Sequence, residues 1–145
     1  MMGKRRDIQH QLNRYTDAVN RRDWRAFASV YARDAIWEGL GDLVMRFEGR
    51  DAITLGFLEI IEPMSMFVQM NAPAVIEVHG DRASARSTIH ELGDVPAQGT
   101  RFELYGCYED ELVRHKGEWL FRHRRFAPVT RQITPIPANN WSSGF

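Results

Sequence analysis

At about Val68 the hydrophobic period of this chain changes from three-to-four residues to two, and no other feature constrains its fold as much. Upstream, in I-Q-H-Q-L-N-R-Y-T-D-A-V-N, the apolar positions Ile8, Leu12, Tyr15 and Val19 fall on one face of a helix. Asp23 is placed as the N-cap of a second helix, W-R-A-F-A-S-V-Y, with Trp24, Phe27, Val30 and Tyr31 on its apolar face. D-A-I-W-E-G then reads as a short strand. A third helix, roughly Asp51 to Ile61, carries Ile53, Phe57 and Ile60 on one side and is stopped by Pro63. Helices first and strands afterwards is an α+β order.

The strands sort their residues by parity. In V-I-E-V-H-G-D-R-A-S-A-R-S-T-I-H-E-L, a two-residue Gly80-Asp81 turn sets Val78 opposite Ala83 and Ile76 opposite Ala85. That apolar row continues through Ser87 and Ile89 to Glu91, so Glu91 faces the helices and His90 the outer side. In R-F-E-L-Y-G-C-Y-E-D-E-L-V-R the inner row is Phe102, Leu104, Gly106, Tyr108, Asp110 and Leu112. Its partner, E-W-L-F-R-H-R-R-F, has two possible facings. A two-residue Lys116-Gly117 turn pairs Glu111 with Arg122 and Glu109 with Arg124 outside. A three-residue turn with Gly117 in a bulge sets Arg122 opposite Asp110 and Arg124 opposite Tyr108 inside. Lys-Gly is poor chemistry for the shorter turn, which favours the second.

The 145 residues make one domain over 1–145, with residues 1–6 and the proline-bearing tail 127–145 expected to be irregular. Nineteen basic and nineteen acidic side chains give zero formal net charge, with no block of one sign, which argues against nucleic acid or a membrane as partner. No run of eighteen apolar residues and no signal-like segment occurs, so a cytoplasmic protein is expected. The single Cys107 excludes an intramolecular disulfide. His79, His90 and His123 match no metal-ligand spacing, and neither metal nor cofactor is expected.

Three stretches, R-Y-T-D-A-V-N-R-R-D-W-R-A-F-A-S-V-Y-A-R-D-A-I-W-E, F-E-G-R-D-A-I and G-C-Y-E-D-E-L-V-R-H-K-G-E-W-L-F-R-H-R-R-F, resemble the SnoaL-like branch of the nuclear transport factor 2-like superfamily. The resemblance runs from Asp7 to Phe126. It implies a cone in which a curved, mostly antiparallel sheet wraps the N-terminal helices around a pocket, often as a homodimer through the outer sheet face. The superfamily includes ketosteroid isomerases, scytalone and bile-acid dehydratases, polyketide cyclases, dioxygenase β subunits and non-catalytic binding domains, so fold alone does not fix function.

Residue by residue, the resemblance puts Tyr15 where isomerases and dehydratases carry a helix tyrosine that polarises substrate oxygen. Glu91 lies near a pocket aspartate of the bile-acid dehydratases. Tyr108 and Asp110 match a G-x-Y-x-D strand. The isomerase base position is Gly39, however, and the dehydratase histidine positions hold Met66 and Ser87. The expected site therefore has Tyr15 and Glu91 as catalytic groups, with Ser87, Tyr108, Asp110 and Arg124 beside them and an apolar wall of Trp37, Phe57, Met66 and Met70. A desolvated glutamate exchanges protons near neutral pH, and a buried tyrosine holds charge developing on oxygen. This chemistry fits a cofactor-independent dehydratase, isomerase or cyclase acting on a hydrophobic small molecule. The alternatives are a ligand-binding or assembly module without catalysis and a dioxygenase β-type subunit. Each residue also has a structural account: Glu91 paired to an arginine, Tyr15 a core tyrosine, Tyr108, Asp110 and Arg124 a hydrogen-bond network.

Overall fold

A computed structural model describes residues 2–138. Helix α1 (Met2–Arg21) buries Ile8, Leu12, Tyr15 and Val19, the stripe expected from spacing. The chain leaves it through Arg22 in the left-handed region (φ 55°), and Asp23 caps α2 (Trp24–Ser29) by accepting from the Ala26 N–H at 3.0 Å. Strand β1 (Tyr31–Gly39) follows; Tyr31 opens this strand rather than ending the helix. After β2 (Arg46–Glu48), helix α3 (Arg50–Ile61) buries Ile53 and Ile61, whereas Ile60 is 38% exposed at the rim. The remaining strands are β3 (Met66–Asn71), β4 (Val75–His79), β5 (Arg82–Val95), β6 (Thr100–His115) and β7 (Glu118–Pro135).

They form one curved, unclosed sheet in the order β2-β1-β7-β6-β5-β3, with β4 also on β5. Every pairing is antiparallel except β1 with β7. Helix α1 crosses the concave side against β3, β4 and β7, and α3 packs on β1 and β2. This is the α+β cone. Two expectations for the termini fail: residues 2–6 belong to α1, and 127–135 continue β7. Past the Gly39–Phe126 pairing β7 has no neighbouring strand on its β1 side among the described residues, so its prolines cost no ladder bonds there. Residues 139–145 of the expected tail lie outside the described residues.

The β4–β5 hairpin has the expected register, with Val78 opposite Ala83 and Ile76 opposite Ala85. Its parity carries Glu91 to the concave side. His90 lies outside, stacked on Tyr105 at 4.3 Å and 2.9 Å from a Glu103 oxygen.

The β6–β7 turn corrects the expected one. His115 pairs with Glu118 across a two-residue Lys116-Gly117 turn, with both residues at positive φ (50° and 81°). A bulge at Arg122 then shifts the register: Phe121 faces Leu112, but His123 faces Glu111 and Arg124 faces Asp110. Arg122 points outward to Asp34 at 3.0 Å instead of inward to Asp110. Arg124 does turn inward, but through the bulge and not through the turn.

Arg124 is completely buried and grips Asp110 with two bonds, Nε to Oδ1 at 2.7 Å and Nη2 to Oδ2 at 3.0 Å. Its guanidinium also lies 3.7, 4.2 and 4.3 Å from the ring centres of Tyr108, Phe121 and Tyr15. Burial raises the Asp110 pKa against the pull of Arg124. Burial also works against the Arg124 charge, but Asp110 and the tyrosines outweigh it and the guanidinium stays protonated. Removing one partner leaves the other charge buried and unpaired. Asp110→Ala is therefore expected to cost about 3–5 kcal/mol in urea unfolding, and Asp110→Leu combined with Arg124→Met to recover most of that loss. A single-variant cost below about 1 kcal/mol would show that the pair does not hold the core.

Candidate functional site

A cavity of about 140 Å³ opens between α3 and the concave face of the sheet. Trp37 of β1, Phe57 of α3, Phe67 of β3, Phe102 of β6 and Phe126 of β7 supply its aromatic walls. The polar groups reaching it are Glu91, Gln69 and Tyr108.

Two of those walls rest on bare backbone. A Cβ at Gly93 would come within 2.3 Å of the Phe102 ring, and one at Gly106 within 2.3 Å of the Phe126 ring. Glycine at these strand positions lets each phenylalanine lie flat against the sheet.

Among the described residues Glu91 makes no ion pair with an arginine. Its Oε2 accepts from Gln69 Nε2 at 2.9 Å, the two residues facing each other across the β3–β5 register. Burial raises its pKa above the ordinary carboxylate value, opposed by the Gln69 bond and by His90. Gln69 is itself fixed by α1: Asn20 donates to the Gln69 carbonyl at 2.9 Å and accepts from its N–H at 2.8 Å, taking the place of a neighbouring strand along the free edge of β3. The Gln69 Oε1 is buried with no partner among the described residues.

The Tyr108 hydroxyl accepts from Trp37 Nε1 at 3.2 Å and shares a 3.2 Å hydrogen bond with the Tyr15 hydroxyl. Burial raises the pKa of both tyrosines well above the ordinary value, so both are neutral donors.

Of the expected site residues, Trp37, Phe57, Glu91 and Tyr108 line this cavity. Tyr15 does not; it stands one layer behind, reaching the site through Tyr108. Asp110 and Arg124 are sealed in the core behind both tyrosines. Ser87 is buried opposite Tyr108 in the ladder, with its hydroxyl unpartnered among the described residues, and is not a wall residue. Met66 and Met70 are corrected outright. Met70 is 58% exposed, because β3 turns Phe67 and Gln69 inward and both methionines outward. Met66-Val68-Met70 is the more apolar row of β3, yet the row with Gln69 faces Glu91. Leu43, Met45 and Met64 also line the cavity from loops, where no periodicity signals them.

Among the described residues no cluster of three or more His, Cys, Asp or Glu is placed to hold a metal ion, and no helix is long and apolar enough to cross a membrane.

Several solved structures share the fold. A scytalone dehydratase candidate from Novosphingobium aromaticivorans superposes with a TM-score of 0.82 at 20% identity, covering 96% of this chain and 93% of that one. A hexachlorocyclohexane dehydrochlorinase, LinA type 3 from Novosphingobium barchaimii, gives 0.79 at 19% identity over 97% and 94%. A nuclear transport factor 2-like protein with a cystatin-like fold, also from Novosphingobium aromaticivorans, gives 0.75 at 20% identity over 88% and 83%. No curated protein matches the chain in sequence. The SnoaL-like domain matches residues 2–125, and with that match over most of its length the chain belongs to the SnoaL-like domain family.

Proposed function

We propose that the protein is a cofactor-independent lyase or isomerase that removes a proton next to a carbonyl, with Glu91 as the base and Tyr108 as the donor to the developing oxyanion. The observation that carries this reading is that both residues line one small apolar cavity and that Glu91 is free of any arginine there. Gln69 orients the carboxylate. Trp37 N–H donates to the Tyr108 oxygen; with the shared Tyr15–Tyr108 bond donated by Tyr15, as this reading requires, the Tyr108 proton is available to the cavity. Tyr15 is then a positioning residue, and Tyr108 takes the role that the resemblance gives to Tyr15. A β-hydroxyl then leaves the carbanion so stabilised, its C–O bond breaking as the C=C bond forms, and departs as water with the proton that Glu91 took up. The relatives described as a dehydratase and a dehydrochlorinase support elimination as the reaction class.

A second reading, a binding module without turnover, is favoured by Gly39: the position expected for an isomerase base carries no side chain. Conversion of one-ring β-hydroxy ketones, followed by absorbance of the conjugated product, separates the two. Binding without conversion by the parent protein would select the module.

Glu91→Gln and Tyr108→Phe are each expected to lower kcat/KM by about 10²–10³-fold, and Tyr15→Phe by about tenfold. In the parent, kcat/KM is expected to rise with pH along a limb set by the raised Glu91 pKa, and Glu91→Gln to abolish that limb.

Stability gives an independent check. Because the Glu91 pKa is higher in the folded chain, ionising it opposes folding: the penalty is absent below the ordinary carboxylate range, builds as pH rises from that range to the raised value and is constant above it. Glu91→Gln should therefore gain stability relative to the parent as pH rises above the ordinary carboxylate range, read from thermal unfolding.

Two copies of the chain associate, in this proposal, through the outer sheet face, where Met70 and the His90–Tyr105 stack are exposed or half-buried. Gel filtration with light scattering should give twice the chain mass, and Tyr105→Glu should return it to one. A monomeric parent would remove this part of the proposal.

A further inference from the structure

The inner cavity ends at a thin partition. Leu43, Leu104 and Phe126 line it on one side and on the other line an open groove of about 470 Å³, between residues 40–43 and residues 127–131 of β7.

The three partition residues are not held alike. Leu104 and Phe126 sit in the β6–β7 ladder, and Phe126 is pressed on Gly106. Leu43 belongs to the loop between β1 and β2. That loop is pinched at its base by Gly39 N–H to the Met45 carbonyl (2.9 Å) and folded on itself by Leu43 N–H to the Leu40 carbonyl (3.3 Å) and Met45 N–H to the Leu43 carbonyl (3.0 Å). Among the described residues its one backbone bond to β7 is Leu40 N–H to the Phe126 carbonyl at 2.8 Å, ahead of Leu43. Gly41 is left-handed (φ 63°) and Val44 is 93% exposed, so the turn that carries Leu43 has little packing on its outer side. Leu43 itself seats on Gly39, where any Cβ would crowd its carbonyl oxygen and stand 2.7 Å from its Cγ. A compact loop tied at its ends can release one side chain without disturbing the sheet.

Size gives this partition its meaning. A cavity of about 150 Å³ accepts benzene, so the inner cavity, itself open to one side, holds about a single ring within its walls. Pockets that enclose larger ligands run to roughly 300–1,000 Å³, which here requires the groove as well.

We propose that Leu43 is the gate that determines ligand size: the oxygen-bearing end of the ligand lies against Tyr108 and Glu91, and any part larger than one ring passes Leu43 into the groove. This rests on the inner cavity being the ligand site. With Leu43 seated the site takes one ring; with Leu43 displaced the two volumes join. Gly39, the position expected for an isomerase base, then serves as the seat of the gate.

The test measures calorimetric affinities of phenol and 2-naphthol for the parent, Leu43→Ala and Leu43→Trp, with thermal unfolding of each to confirm folding. Leu43→Ala is expected to bind 2-naphthol at least about tenfold more tightly while phenol changes less than about threefold. Leu43→Trp is expected to keep phenol and lose 2-naphthol. An unchanged ratio of the two affinities in both variants, with phenol still bound, would overturn the gate and leave the inner cavity as the ligand site. Absence of phenol binding in all three proteins would overturn both.

Discussion

The inward turn of Arg124 governs the arrangement around the site. A two-residue turn alone would send this side chain to solvent, and one extra residue, Arg122, in the β6–β7 ladder reverses it. A guanidinium completely removed from water must then be neutralised, and Asp110 opposite it does so with two bonds. Three aromatic faces close round the charge, and two of them, Tyr15 and Tyr108, are thereby fixed in position and rotamer. The hydroxyl that reaches the cavity is held from behind by this assembly, so a core interaction determines where a site group can point.

Electrostatics divides the interior into two zones. Behind the tyrosines the charge is paired and inaccessible. In front, Glu91 has one amide for company and an apolar surround, and its charged form is disfavoured. A half-buried carboxylate with a single neutral partner adds nothing to packing that an apolar residue would not supply better. Its presence at a cavity wall is the kind of local inconsistency that accompanies function.

Much of this was legible in the chain itself. The change of period at Val68 separated helices from sheet, the Ile8-Leu12-Tyr15-Val19 stripe marked the buried face of α1, and the Gly80-Asp81 turn fixed the parity that brings Glu91 inward. The β6–β7 register was not legible, since a bulge leaves no sign in composition and its effect on facing equals that of a different turn. Met66 and Met70 misled for another reason. On an edge strand the outer face can be the more apolar one, and the inner row is chosen by what stands opposite, here Gln69 beneath Glu91. Loop walls such as Leu43 and Met45 carry no periodic signal. Tyr15 was legible as buried but not as second in line, because depth along a helix-to-sheet direction is set by tertiary packing.

The glycines beneath Phe102 and Phe126 have a consequence for how such a site diversifies. Both walls of the chamber stand on positions where the chain has no side chain, so the chamber's depth is set by backbone and by two rings that lie flat on it. Any larger residue at Gly93 or Gly106 must tilt one ring into or away from the chamber. The volume available to a ligand can thus be retuned from beneath the walls, with Glu91 and Tyr108 left in place. If Glu91 and Tyr108 act as proposed, shape and chemistry are set at separate positions, and one can change while the other is kept.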